Sequence, residues 1–256
     1  MNTDITYEFP LNERIRMFIR IEQLFQQLNH FLMGESIWDK RAAIDTLLDI
    51  MMIFSRNDLK SEILKELERH STTLGLIANN EGVDSPKLEQ ILSELNQTSK
   101  ILYSDDGKIG VNVMASDLFQ SISQRSTIPG GTCSFDLPVF HYWLQQETKA
   151  QYKEIDQWTK PFTTIRNAID LILNFIRNSS LGKEEVAEAG FFQQNLEQGQ
   201  PSQLLIVAVD HSIPCFAEIS GGKHRFSVRF MIPSANGSRP IQTMEDIPFN
   251  LTCCQF

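Results

Sequence analysis

The chain of 256 residues predicts an α+β fold: an N-terminal helical bundle, then a C-terminal, mainly antiparallel β-sheet domain, joined by an N-terminal strand. Three observations predict it. Apolar residues recur at helical spacing up to about residue 178. Beyond Ser179-Ser180-Leu181-Gly182 the period falls to two, with Gly, Pro, Asn and Ser turns between short runs. One early run, Ile5 to Phe9, reads as a strand with no strand neighbour nearby in sequence, so it is expected to pair with the late sheet. The expected divisions are residues 1–10 (strand), 11–180 (helical domain) and 181–256 (β domain).

Pro10 ends the first strand, and a helix follows from about Leu11 to Met33. Its apolar residues cover more than half of the helical wheel, the pattern of a helix central to a bundle or covered by a second chain. The remaining polar strip carries Arg16, Arg20, Gln23 and Gln27. Ser36 can cap a second helix, about 37–54, and Asn57 or Asp58 a third, to about Asn79. Ser85-Pro86 opens a fourth, ended by Asp105-Asp106-Gly107. A fifth spans about Ser116 to Ser126. Pro129-Gly130-Gly131 is a turn, after which Asp136 can cap a helix with Val139, Phe140, Trp143 and Leu144 inward. Trp158 to Pro161 reads as a junction, and a last helix runs from about Phe162 to Asn178. Strands are expected at about 190–194, 203–210, 215–220, 223–232 and 248–254.

Composition narrows the function classes. A net charge of -9 opposes nucleic acid as the main ligand, since phosphate binding needs clustered Lys and Arg. No apolar run is long enough to span a membrane, and the first residues lack a secretory pattern. The four cysteines (Cys133, Cys215, Cys253, Cys254) form no CxxC pair, so no metal site is expected, and reduced, partly buried thiols are. Phosphate-loop, dinucleotide, zinc-protease and serine-hydrolase motifs are absent from the sequence, and no cofactor is expected. Cys133 and His141 are the one pair that could serve as nucleophile and base, without an evident third group to orient them; a packed cysteine and a histidine near a helix start is the plainer account.

Binding features are stronger. In ISGGKHRFSVRFMI, Ile219 to Ile232, Gly221-Gly222 signals a hairpin turn. The following residues alternate, with Phe226, Val228, Phe230 and Ile232 on one face and Arg225, Ser227 and Arg229 on the other. The two arginines then stand roughly 13 Å apart. From Ile219 to Met244 there are four Lys or Arg residues and no Asp or Glu. An acid-free patch on an acidic protein suits an acidic partner, because the guanidinium fork bonds carboxylates bidentately.

The stretches YEFPLNERIRMFIRIEQLF, IPGGTCSFDLPVFHYWL and ISGGKHRFSVRFM, with the terminal FNLTCC, resemble the Z-ring-associated ZapD family of bacterial cell division, in order and from Tyr7 to Cys254. The resemblance implies a cytoplasmic, non-catalytic homodimer at the mid-cell division site. It further implies binding to the C-terminal tail of FtsZ, a short, partly acidic peptide, and bundling of FtsZ filaments. It carries the tail-binding role to Arg20, His141, Arg225 and Arg229, and Lys223 joins them from the strand stripe. No nucleic acid, membrane or small-molecule substrate is implied. One departure falls in SDLFQSISQ, where Asp117 stands at a place the family pattern offers a basic residue: either Arg125 or Arg56 substitutes in space, or the site is less basic on that side.

Overall fold

The structure, a computed structural model, describes residues 4–56, 58–77, 85–104, 110–197, 202–222, 224–234 and 237–255. Its elements are β1 (Asp4–Pro10), α1 (Glu13–Met33), α2 (Ile37–Arg56), α3 (Leu59–Ile77), α4 (Ser85–Ser104), α5 (Val111–Met114), α6 (Asp117–Ser126), α7 (Pro138–Leu144), α8 (Thr148–Thr159) and α9 (Thr163–Arg177). Then follow β2 (Lys183–Ala187), β3 (Phe191–Asn195), β4 (Ser202–Asp210), β5 (Phe216–Gly221), β6 (Arg225–Ile232), β7 (Ile241–Gln242) and β8 (Ile247–Gln255). This is the expected α+β order, helices first and antiparallel strands after. Strand gives way to helix between Pro10 and Glu13, and helix to strand between Arg177 and Lys183. The compact units divide within α1 and α9: one holds Met1–Phe18 and Ile172–Phe256, the other Ile19–Leu171.

Local chemistry sets the helix starts. Asn12, not Leu11, opens α1, its side chain accepting from the Ile15 N–H at 2.9 Å. Ser36 caps α2 as expected, in a reciprocal box: the Asp39 N–H donates to Ser36 Oγ and the Ser36 N–H to Asp39 Oδ2, both at 3.1 Å. The Ser36 hydroxyl, which also donates to Asp39 Oδ2 at 2.6 Å, and then the Ser36 N–H hold the Asp39 carboxyl below its ordinary range. Asp58 accepts from the Ser61 N–H at the start of α3, whereas Asn57 and the Asp105-Asp106-Gly107 break lie outside the described residues. Of the wide apolar arc of α1, Ile15, Phe18, Ile21, Phe25 and Leu28 are buried, and Ile19, Leu24, Phe31 and Leu32 are half-buried.

In the 19–171 unit the Asp136 cap does not form. The N-cap residue of α7 is Leu137, with Pro138 in the first turn, and the Asp136 carboxylate lies 3.8 Å from Arg125 instead. Phe140, Trp143 and Leu144 are buried, but Val139 is 49% exposed, because a seven-residue helix has one buried face. The expected junction is a 3-10 turn at Lys160–Phe162 between α8 and α9, directly after Thr159, and Trp158 precedes it. That tryptophan sits in α8, inside an aromatic stack that runs from Phe140 through Trp143 to Trp158 and Phe119. Glu154 accepts from the Trp143 indole N–H at 2.7 Å, and the buried Gln151 amide donates to the Trp143 carbonyl at 2.9 Å.

The other unit holds two antiparallel sheets, ordered β1-β4-β8-β2 and β3-β6-β5, with β7 also paired to β6. The early strand pairs with the late sheet as expected, Tyr7 standing opposite Val207. The Arg177 guanidinium donates to both Glu8 carboxylate oxygens, at 2.7 and 2.9 Å, which ties the end of α9 to β1. Leu205, Val207, Val209, Phe249 and Leu251 of the first sheet form one core with Phe226, Val228 and Phe230 of the second. Ile232, expected on that face, is the last residue of β6, lies beyond the core and is 37% exposed.

The glycine pair at 221–222 acts differently from expectation. Neither residue has positive φ. Gly221 ends β5, and a Cβ there would stand 3.0 Å from the Leu11 side chain and 3.2 Å from those of Phe226 and Phe9, so its small size serves close packing rather than a left-handed turn. The left-handed reversal lies instead at Ala189 (φ 46) and Gly190 (φ 71), a two-residue turn that carries the chain from β2 in one sheet to β3 in the other.

Candidate functional site

The outward face of the second sheet is built by β6 and its neighbours. Along β6, Arg225, Ser227, Arg229 and Met231 share that face. On β3, Asn195 stands opposite Arg225, Gln193 opposite Ser227 and Phe191 opposite Arg229. On β5, Ser220 pairs with Ser227, Glu218 with Arg229 and Phe216 with Met231. The surface therefore grades from an apolar end (Phe216, Met231) through a polar middle to Arg225. A concavity of about 410 Å³ at the Arg225 end is lined by Gln193, Ser220, Gly221, Gly222, His224 and Ser227.

Both arginines are exposed, and neither guanidinium has a hydrogen bond or ion pair among the described residues. Their forks are available to a carboxylate ligand. Glu218 corrects the picture of an acid-free patch. It lies one residue before the acid-free window and, in the sheet, directly opposite Arg229. Arg225, by contrast, stands opposite the uncharged Asn195 at the concavity. His224 adds a second basic group there that the sequence reading passed over; its adjacency to Arg225 at the strand start was the available signal.

Arg20 and His141 lie in the other unit. Arg20 is exposed on α1 and has no ion pair among the described residues; Arg16, four residues earlier, is held by Glu13 at 2.7 Å. His141 is exposed on α7, beside Tyr142, which is 68% exposed. Arg41 was missed by sequence reasoning. It donates to Thr132 Oγ1 at 2.8 Å and to the Thr132 carbonyl at 3.2 Å, and its guanidinium lies 4.9 Å from the Phe140 ring centre. These contacts hold the 130–137 turn against α7 and so position His141. Lys223 and the Arg56 side chain lie outside the described residues. Asp117 is exposed at the start of α6, and Arg125 at its end faces Asp136.

Among the described residues, Cys133 and His141 share no hydrogen bond, and Cys133 is exposed rather than packed, because it sits on a turn stabilised by backbone bonds. Burial raises the thiol pKa of Cys215 and Cys253 and pushes that of Cys254 up to about 12. Under native conditions at pH 8, Cys133 is expected to react first with a disulfide reagent, and Cys254 only after unfolding; rapid labelling of Cys254 in the folded protein would contradict this burial. No group of three or more His, Cys, Asp or Glu among the described residues comes together as a metal site. No described helix is long and apolar enough to cross a membrane.

Comparison with known proteins agrees with the resemblance of the motifs. The family model described as "ZapD: Cell division protein" matches residues 19–229. The cell division protein ZapD of Methylococcus capsulatus is 47% identical over 254 residues, covering 99% of both chains. Its counterpart from Nitrosomonas eutropha is 38% identical over 250 residues, covering 98% of this chain and 99% of the relative. That of Chromobacterium violaceum is 35% identical over 252 residues, covering 98% and 100%. The chain belongs to the ZapD family of cell division proteins.

Proposed function

We propose that this protein binds the C-terminal tail of FtsZ and, as a homodimer, cross-links FtsZ filaments at the mid-cell division site in the cytoplasm, promoting Z-ring assembly without catalysis. The observation that carries the reading is the pair of uncommitted, exposed arginines, Arg225 and Arg229, on one sheet face. Arg225 and Arg229 take carboxylates of the tail, with Lys223 beside them. Arg20 and His141 are the further tail-binding residues. The half-buried Leu24, Phe31 and Leu32 of α1 are consistent with cover by a second copy. Two copies give the minimum of two sites that cross-linking requires, and weak single contacts gain avidity from the many tails on a filament.

Co-sedimentation tests the reading. Full-length FtsZ filaments should pellet as bundles with this protein, and filaments lacking the tail should not. Bundling should weaken between low and physiological salt, because exposed charge contacts are screened over about 8–10 Å. Equal pelleting with and without the tail would sink the model.

A further inference from the structure

The hydrogen-bond phase of β3 leaves one edge of the arginine face open. The Gly190 carbonyl accepts from the Phe230 N–H, and the Leu196 N–H donates to the His224 carbonyl, both at 2.8 Å. Bonded pairs alternate along an antiparallel ladder, so Phe192 and Gln194 direct their backbone groups to β6. The N–H and C=O of Gln193 and Asn195 therefore point away from β6. Among the described residues no backbone hydrogen bond reaches them, and both residues are exposed. The Phe191 N–H, at the start of the strand, is already taken by the Glu188 carbonyl at 2.9 Å.

Among the other outer strands, β7 has only two residues, and β1, β2 and β5 are protected against strand addition. β1 carries Asp4 and Glu8 and ends in Pro10, and β2 begins Lys183-Glu184-Glu185. Charges and prolines of this kind discourage pairing with another chain. β5 presents Glu218, which repels acids, and Phe9 and Leu11 close over Gly221 at its end. β3 reads Phe-Phe-Gln-Gln-Asn, with neither charge nor proline. Its outward side chains share the face of Arg225 and Arg229, and their pairs with β6 are the closer, non-hydrogen-bonded kind.

We propose that an acidic extended peptide adds to β3 as a further strand, hydrogen-bonded to the main chain of Gln193 and Asn195, with carboxylates four residues apart on one face reaching Arg225 and Arg229. The occupant is the acidic tail of the reading above, on which this inference rests. An added strand runs about 10 Å from β6, two strand spacings away, a gap that an arginine and an acidic side chain span together. Main-chain bonds supply affinity in this mode, and the charged face supplies selectivity. Two open residues make a short dock, which suits a weak contact multiplied by avidity.

The test uses the full chain and a synthetic FtsZ tail peptide, with amide hydrogen exchange resolved by residue. Saturating peptide should slow exchange at Gln193 and Asn195 roughly tenfold or more and leave Phe192 and Gln194, already bonded to β6, unchanged. Gln193→Pro removes an outward N–H without breaking the β6 ladder and should weaken peptide binding roughly tenfold, with little change in the unfolding midpoint. If the peptide binds and depends on Arg225, yet Gln193 and Asn195 exchange as before, strand addition is wrong and the tail reading stands. If the peptide does not bind, or binds equally well to Arg225→Glu, the tail reading fails and strand addition falls with it.

Discussion

Combined Arg225→Glu and Arg229→Glu substitution is expected to abolish filament bundling while the protein remains folded. In the proposed tail contact, each change replaces an attraction to a carboxylate with a repulsion, so single-site affinity should fall roughly tenfold or more. Bundling needs two sites engaged at once, so its loss should exceed that of one site. Arg225→Glu should leave stability within about 0.5 kcal/mol, as exposed substitutions do. Arg229→Glu differs, because it places a carboxylate opposite Glu218 and should cost a few tenths to about 1 kcal/mol. Arg229→Gln avoids that repulsion and separates the loss of binding from the loss of stability. The sign reverses at Glu218: Glu218→Gln removes an acid from the face and should strengthen tail binding. Peptide titration by fluorescence anisotropy, with thermal unfolding beside it, reads each quantity. Full bundling by the folded double variant would remove the arginine face from the mechanism.

How much of this site was legible in the sequence depends on how local each signal is. The β6 alternation needs only eight consecutive residues, and it placed Arg225, Arg229, Phe226, Val228 and Phe230 on their observed faces. The stripe of α9 was equally local, and Ile165, Ile169, Ile172, Leu173 and Ile176 are all buried. Glu218 entered the face through strand pairing, which no window along the chain contains. α8 was hidden because its buried side includes Gln151, leaving Tyr152, Ile155 and Trp158 as a thin apolar signal in TKAQYKEIDQWT. β2 was hidden for the opposite reason. KEEVA carries the charges of a protected edge strand, and those charges mask its strand periodicity. The second sheet itself follows from the turn at Ala189-Gly190, where AEAG lacks the usual Asn-Gly or Asp-Gly signal.

That turn sets the largest expected loss of stability. Gly190 has a φ of 71, and a Cβ there would lie 2.5 Å from Thr243 Cγ2 and 2.7 Å from the Thr243 carbonyl oxygen. The second neighbour is main chain, and Thr243 is fixed in turn by its N–H bond to the Phe230 carbonyl at 3.0 Å, so little can yield. Gly190→Val should therefore cost about 3–4 kcal/mol, from a β-branched residue in the left-handed region plus overpacking. Gly190→Ala should lose somewhat less. Ala189 provides the control of opposite sign: its φ is 46, so Ala189→Gly relieves strain and should be neutral or stabilise by up to about 1 kcal/mol. The tryptophans (Trp38, Trp143 and Trp158) all lie in the 19–171 unit, so far-UV circular dichroism or residue-resolved hydrogen exchange in urea is the suitable probe. If Gly190→Val shifts stability by less than about 0.5 kcal/mol, the packing at Thr243 is not as described. The Gly190 carbonyl also begins the β3–β6 ladder through Phe230. Loosening this turn should frays β3 first, so the valine variant should lose tail binding at urea concentrations where α9 is still protected.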